Sequence, residues 1–486
     1  MRLSKFRADE SGIAVLLALM SLSLLSLIGI YVALNATSEV CISDNYESLL
    51  AARSAAEAGA NHGRILLSGL GFEAVLEGAD GVHDESAAYI AQARSFGFRI
   101  PVPWPVARSL DILNPAIELA GIPDDGLINT GSFQGTEGTT LIPLTGVAQL
   151  VPNPYGQGSM TRSRYFVKVS DNNGEVPELA GDASDDPFKD GDGIVILRSL
   201  GIARTRRETA GPVIVQNSVV VIETRLRRRS TFKLGSALVV AGESVAASFG
   251  GNIGAISGGD NPGVAAIDLN VGDNLNPCQM IRDAASGQQG ITGGGLAAPS
   301  VQDIAGQVAL VPDQSLLLDA AYLWDFINNK LPRFADLVFS GDQTWEGNSG
   351  LDIGSFDRSQ PANAPGQNPK VTLVGGNLTI SGNLTGAGLL AVTGDLSCSG
   401  TFEFTGLVLV IGAGNLTITD LVAGIYGEVL VARLVNNGGV ISFGVPTLSI
   451  NGNSRLIADR DAVDMATRLI PPTQISFREI TSSMDP

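Results

Sequence analysis

No charged residue occurs between Ser11 and Ser38, and Ile, Ala, Val and Leu make up most of that stretch. Within it, residues 13–36 form an apolar run. As a helix rising about 1.5 Å per residue, the run reaches roughly 36 Å, enough to cross a bilayer. The helical pattern continues beyond it. No proline precedes Pro101, and residues 37–68 are rich in Ala, Leu, Glu and Arg, all good helix formers. One helix from Ile13 to about Ser68 is expected, roughly 84 Å long. Val40, Leu49, Leu50, Ala56 and Ala60 are expected to continue its apolar stripe, with Glu47, Arg53, Glu57 and Arg64 on the polar side. A secretory signal peptide has a shorter apolar core. Arg2, Lys5 and Arg7 precede the run, whereas Glu39, Asp44 and Glu47 follow it. Basic flanks stay on the cytoplasmic side, so the remainder is expected outside an inner membrane crossed once.

Further along, the periodicity changes. Residues 71–100 mix polar and small side chains, and 101–160 carry prolines from Pro101 to Pro154, which predicts an irregular, loop-rich stretch. The runs 164–169, 193–200, 213–215 and 219–226 read as strands of a small antiparallel sheet. In the second half, Gly376-Asn-Leu-Thr-Ile380 is followed by Gly382-Asn-Leu-Thr385, Gly394-Asp-Leu-Ser397 and Gly414-Asn-Leu-Thr-Ile418. Short strands that alternate apolar with Ser/Thr positions between Gly-Asn turns predict a stacked β-solenoid. Leu317, Ala320, Ala321, Trp324 and Ile327 fall at helical spacing within 313–330, and that helix is expected to cap an end of the stack.

The predicted class is therefore α+β: a long N-terminal helix with a small antiparallel sheet, then a β-rich, solenoid-like domain. The expected divisions are a leader (1–12), a membrane half (13–36) and an outer half (37–70) of the helix. A loop-rich β domain (71–235), a repeat domain (236–460) and a C-terminal tail (461–486) follow.

Composition narrows the function. The chain carries 49 acidic and 31 basic residues, a formal charge of −18. That surface repels phosphate backbones, so nucleic acid is not expected as a partner. Arg225-Leu-Arg-Arg-Arg229 is the one basic cluster, read as a solvated turn at a strand end, with a surface for an acidic partner as the alternative. With 44% hydrophobic residues and only 16% charged, the ectodomain is a folded, turn-rich chain and not a disordered stalk.

The basic leader ending at Gly12, the apolar helix beginning at Ile13, and Ala55-Ala-Glu-Ala-Gly59 resemble type IV pilin-like proteins, nearest to minor pilins of the PilX type. The resemblance covers about the first 70 residues. Weaker echoes lie in 165–169, 194–197, 213–223 and the tail 475–480. It implies cleavage by a prepilin peptidase between Gly12 and Ile13, residence in the inner membrane, and packing of the helix with other pilins. At a filament tip the protein would lie at the cell surface, priming assembly or presenting an adhesive face. Major pilins carry a glutamate at the fifth mature position, where this chain has Leu17. That departure argues for a minor, tip or priming component, and K-type pseudopilins of type II secretion systems share it. A membrane-anchored solenoid that binds or cleaves polysaccharide is the remaining alternative.

Candidate chemistry is sparse. Asp182, Asp185, Asp186, Asp190 and Asp192 cluster with Gly191 and Gly193 in a loop between strands. Oxygen ligands on a flexible loop suit calcium, but starting from Asp186 the twelfth position is Leu197, unlike an EF-hand, and a solvated turn is the competing reading. No other cofactor is expected. Glycoside hydrolysis needs two positioned carboxylates. In the repeat region Asp395, Glu403, Asp420 and Glu428 are scattered, and His62 and His83 are the chain's two histidines, so no enzyme is expected. Cys41, Cys278 and Cys398 form neither a disulfide framework nor a zinc site. A Cys278–Cys398 bridge stays open, while the Leu/Cys–Ser alternation around Cys398 suggests a core position.

Overall fold

The computed structural model describes residues 4–68, 71–77, 145–152, 159–172, 190, 193–207, 214–229, 231–269, 276–347, 350–360, 367–422 and 424–480. A single helix, α1 (Ser4–Leu66), opens the chain, followed by a short helix, α2 (Phe72–Glu77). An antiparallel sheet is built from β1 (Thr145–Pro152), β2 (Ser159–Asp171), β3 (Ile194–Arg207) and β4 (Ile214–Arg227). β1 falls where prolines predicted irregular chain. It tolerates Pro152 because it is the sheet's edge strand and Pro152 its last residue, where a missing N–H costs no central ladder bond.

The outer half of α1 lies across β2, β3 and β4 and follows only part of the expected stripe, with Ala56 and Ala60 buried as expected. Val40, Leu49 and Leu50 stay exposed, while Ser48, Ala52, Ala55, Ala56, Ala60 and Leu67 are buried. The reason is close approach. A Cβ on Gly201 of β3 would run into the carbonyl of Ala52 and the backbone of Ala56, and one on Gly59 would strike Ser199 and Tyr165. Where helix and sheet backbones nearly touch, only small side chains fit the seam. The Ala55-Ala-Glu-Ala-Gly59 run supplies them.

A fifth strand completes this sheet from the far end of the chain. Thr473–Ile480 pairs antiparallel with β4, so the predicted tail is part of the first domain's sheet. Everything between β4 and Thr473 is an insertion in it.

That insertion consists of two parallel sheets that share one apolar interior. The chain alternates between them: Lys370–Gly375 in the large sheet, Leu378–Ser381 in the small one, then Thr385–Val392, Leu396–Ser399, Glu403–Gly412 and Asn415–Thr419. Residues of one kind stack in register. Leu378, Leu396, Leu416 and Leu448 form one column, and Trp345, Ile380, Cys398, Ile418, Ile450 and Phe249 another. The Gly-Asn-Leu-Thr-Ile motif follows from this. Its Leu and Ile fill the core while Thr379 and Thr417 face outward, the period-2 alternation of a sheet with one wet face. The corners have two kinds. Gly376 stacks on Gly394, whereas Gly347, Gly382 and Gly400 stack at a second corner. The glycine series 376, 382, 394, 414 therefore mixes two corners and does not mark successive repeats. At the first corner Asp342 accepts from Asn377 N (2.9 Å), Asn377 from Asp395 N (2.8 Å), and Asp395 from Asn415 Nδ2 (2.6 Å). This ladder explains why Asn or Asp follows each glycine at the first corner, at positions 342, 377, 395 and 415.

The large sheet is dry on both faces. Leu390, Val392, Val408 and Val410 point into the shared interior, and Leu389, Ala391, Leu407 and Leu409 point outward under helical cover. This is why its strands read as unbroken apolar runs. The cover is shared by a helix at Arg460–Arg468, packed on the central strands, and the predicted 313–330 helix, which differs from expectation in form and place. It runs as Gln314–Leu318, Ala320–Asp325, Phe326–Lys330 and Leu331–Arg333 with changing helical pitch. Leu317, Leu323, Phe326 and Ile327 lie on the outer face of the large sheet and do not cap its end. Placement follows from the order of the stack. Leu238–Gly242 pairs with Gly424–Asn437 on one side and Val264–Asp268 on the other, with Val301–Asp303 beyond. The chain thus joins the stack mid-way, runs to one end, and crosses the outer face through the helical segment. It re-enters at Leu337–Ser340 at the other end. It leaves beside where it joined, as an insertion between β4 and Thr473 requires.

Candidate functional site

Gly12 and Ile13 lie inside α1, and the helix from Gly12 to Asn35 is bare. From Ile13 to Leu34 the large apolar side chains are about three-fifths exposed, and no residue from Gly12 to Asn35 is buried. A helix apolar on every side is suited to lipid or to other helices and to no surface of its own chain. Three of its hydroxyls are satisfied locally: Ser21 Oγ donates to Leu17 O (2.8 Å), Ser23 Oγ to Met20 O (3.0 Å) and Thr37 Oγ1 to Ala33 O (2.8 Å). Each of these three hydroxyl donors is thereby paired within the helix, as a bilayer interior requires. One apolar N-terminal helix long enough to anchor in a membrane is therefore present.

Where α1 ends, the two domains meet around the basic cluster, which is not the solvated turn expected. Arg228 donates from Nη2 to Leu67 O at 2.8 Å and lies 4.2 Å over the Phe72 ring. Burial, with Arg468 nearby, lowers its pKa to about 10. Arg227 Nη2 pairs with Asp313 Oδ1 at 3.1 Å, and Lys233 Nζ with Asp464 Oδ1 at 2.7 Å. Beside these links opens a cleft of about 960 Å³, bounded by the end of α1, the helical segment and the start of the last strand. Arg64, Arg228, Arg229, Lys330 and Arg333 line it against a single acid, Asp336.

Of the predicted calcium ligands, Asp190 accepts from Gly193 N at 2.8 Å and so closes a turn. Asp182, Asp185, Asp186 and Asp192 lie outside the described residues. Among the described residues no group of three His, Cys, Asp or Glu side chains is placed to hold a metal. His62 Nδ1 meets the Tyr165 hydroxyl at 2.9 Å on the helix–sheet seam, where burial lowers the imidazole pKa. His83 lies outside the described residues. Cys41, Cys278 and Cys398 are free thiols, the last two buried in the shared interior. Asp395 belongs to the corner ladder, Asp420 accepts from Asn453 N at 3.1 Å, and Glu403 faces Arg358 at 3.8 Å.

Glu428 is different, although in the sequence it ranks only as one of four scattered acids. It is wholly buried on the outer face of the large sheet, and its Oε2 accepts from Leu234 N (3.1 Å) and Gly235 N (3.0 Å). Its Oε1 has no partner among the described residues. Desolvation raises its pKa to about 8 against those two bonds. The available signal was a glutamate in an otherwise apolar run, Glu428-Val-Leu-Val-Ala432.

No protein-family model matches the chain, and no curated protein does. Among solved structures, the competence-associated pilin ComZ from Thermus thermophilus is similar at 11% identity, over 89% of this chain and 97% of that one, with a TM-score of 0.18. At that score the likeness carries no argument about this chain.

Proposed function

We propose that the chain is a minor pilin-like subunit of a type IV pilus, of the PilX type, which primes assembly or sits at the tip. The observation that carries this reading is the division of α1 into a bare apolar half and a half seated on an antiparallel sheet through small residues. In this reading a prepilin peptidase cuts between Gly12 and Ile13, and residues 13–36 hold the protein in the inner membrane with the ectodomain in the periplasm. On assembly the same residues exchange lipid for neighbouring pilin helices. Apolar packing between helices must then compensate for leaving the lipid.

Leu17 supports a subunit that does not repeat along a shaft, because it brings no carboxylate to pair with a neighbour's amino terminus. The two parallel sheets, read as coils of one β-solenoid, make the ectodomain too bulky for regular stacking, which again favours the tip. There they present a surface for adhesion. We read that surface as a binding scaffold and not a catalyst, because Asp395, Asp420 and Glu428 are engaged in backbone and corner bonds. Calcium at the acidic loop remains a lesser part of the proposal. The same geometry would serve a K-type pseudopilin, and the filament that incorporates the protein separates the two.

The test is the mature amino terminus, read by mass spectrometry from hosts with and without prepilin peptidase. A peptidase-dependent start at Ile13, together with loss of piliation on deletion, supports the reading. An intact Met1 in both hosts overturns it.

A further inference from the structure

The last strand, Thr473–Ile480, is the outer strand of its sheet. It pairs with β4 along one edge, and its other edge pairs with no described strand. Thr473 to Glu479 are all exposed. Ile475 and Phe477, at 47% and 46%, are large apolar side chains on a strand whose outer edge meets no described strand. A bare edge presents alternating N–H and C=O groups that only another extended backbone satisfies in full.

A second feature adjoins it. Thr473 and Gln474 form part of the wall of the basic cleft. The side chains of Arg64, Arg229 and Arg333 in that cleft make no hydrogen bond or ion pair among the described residues. The one acid there, Asp336, already accepts from Val371 N at 2.8 Å. In a chain of net charge −18, this is a local reversal of sign. Tyr322 and Phe334 add partly buried rings to the lining.

We infer that the edge of Thr473–Ile480 and the arginine-lined cleft at its start form one docking site for an extended acidic peptide segment. The segment adds a strand beside Thr473–Ile480, covers Ile475 and Phe477 with apolar side chains, and places its carboxylates against Arg64, Arg229 and Arg333. Charge complementarity alone would admit an acidic glycan or a nucleic acid. The open strand edge selects a polypeptide, because neither of the others carries the repeating amide. Such docking is independent of whether α1 enters a filament.

The experiment uses the full-length protein in detergent micelles at low salt. The probe is a fluorescent ten-residue peptide alternating Glu with Val and Thr, and a Lys-for-Glu peptide is the control. Binding is read by polarisation, and hydrogen exchange is followed across 473–480. Saturable binding of the acidic peptide alone, with slowed exchange within 473–480, is the expected result. Arg64→Glu with Arg333→Glu should weaken it about tenfold or more, as reversal of two partly screened charges does, and Phe477→Ser should also weaken it. No saturable binding overturns the inference, as does binding that leaves exchange at 473–480 unchanged. Competition by oligogalacturonate or oligodeoxythymidylate at lower concentration than the peptide overturns the choice of partner. The wild-type exchange measurement decides the matter even if a variant fails to fold.

Discussion

Arg478 Nη2 lies 2.7 Å from Glu223 Oε1, joining the last strand to β4 across 255 residues of sequence. Arg198 of β3 reaches the other oxygen of the same carboxylate with both Nε and Nη2 at 3.1 Å. Glu223 and Arg198 are buried, whereas the Arg478 side chain is 58% exposed. One carboxylate thus ties three neighbouring strands together, and the return of the chain after the insertion depends on it. Glu223→Ala would leave Arg198 buried without its counter-charge, at a cost of about 3–5 kcal/mol. Arg478→Ala should cost about 1 kcal/mol, because its remaining surroundings are wet and Arg198 still satisfies Glu223. Chemical unfolding followed by circular dichroism ranks the two. Equal effects would mean that the exposed partner, and not the buried one, secures the sheet.

The helix–sheet seam makes a second, purely steric prediction. Gly201 has no positive φ to explain it, and the Ala52 carbonyl occupies the space a side chain would need. Gly201→Val should therefore lift α1 from the sheet, with a loss of about 3 kcal/mol from overpacking. Limited proteolysis between residues 45 and 66 would report it as faster cleavage. Val40→Ala, on the exposed side, should leave the rate unchanged.

Within the parallel sheets, the column Ile380–Cys398–Ile418–Ile450 predicts a sharp contrast between neighbouring positions. Ile418 is fully buried and Thr417 faces solvent. Ile418→Ala should cost about 2–5 kcal/mol, and Thr417→Ala within about 0.5 kcal/mol of nothing. Denaturant midpoints of the two variants test the assignment of inside and outside. Comparable losses would show that the register is shifted by one residue.

What could be read from the sequence was whatever a local pattern carries. The apolar run before Glu39 predicted the long helix, and Leu-Thr-Ile alternation predicted short strands with one wet face. The seam is legible only in part: Ala56 and Ala60 fall on the expected stripe, but hydrophobicity also points to Leu49 and Leu50, where the approach of Gly201 selects the small Ala52 instead. β1 was missed because proline density masked an edge strand. Two relationships had no local signal at all. The pairing of Leu238–Gly242 with Gly424–Asn437 is parallel and distant, and nothing near residue 238 says that the stack is joined mid-way. The arginines at 225–229 looked alike in sequence, but adjacent chain geometry gives Arg227 an acid, Arg228 a carbonyl and a ring, and Arg229 an open cleft.

Glu428 supplies a pH dependence whose sign is fixed by burial. Its pKa is raised to about 8 in the folded protein, against about 4.3 for an exposed glutamate. The folded state therefore holds a proton that the unfolded state releases, and stability falls as pH rises between those two values. The contribution is fully present at and below the lower value, and it is lost by the time pH passes 8. Glu428→Gln keeps an oxygen to accept from Leu234 N and Gly235 N, while removing the charge. The variant should unfold at a higher temperature than the wild type at pH 8.5, and the gap should close by pH 5. Since Leu234 and Gly235 connect the antiparallel sheet to the stack, protease cleavage near residue 234 should also quicken with pH in the wild type and not in the variant. A wild type whose melting temperature is flat from pH 5 to 8.5, or one whose slope survives in Glu428→Gln, would assign the titration to another group.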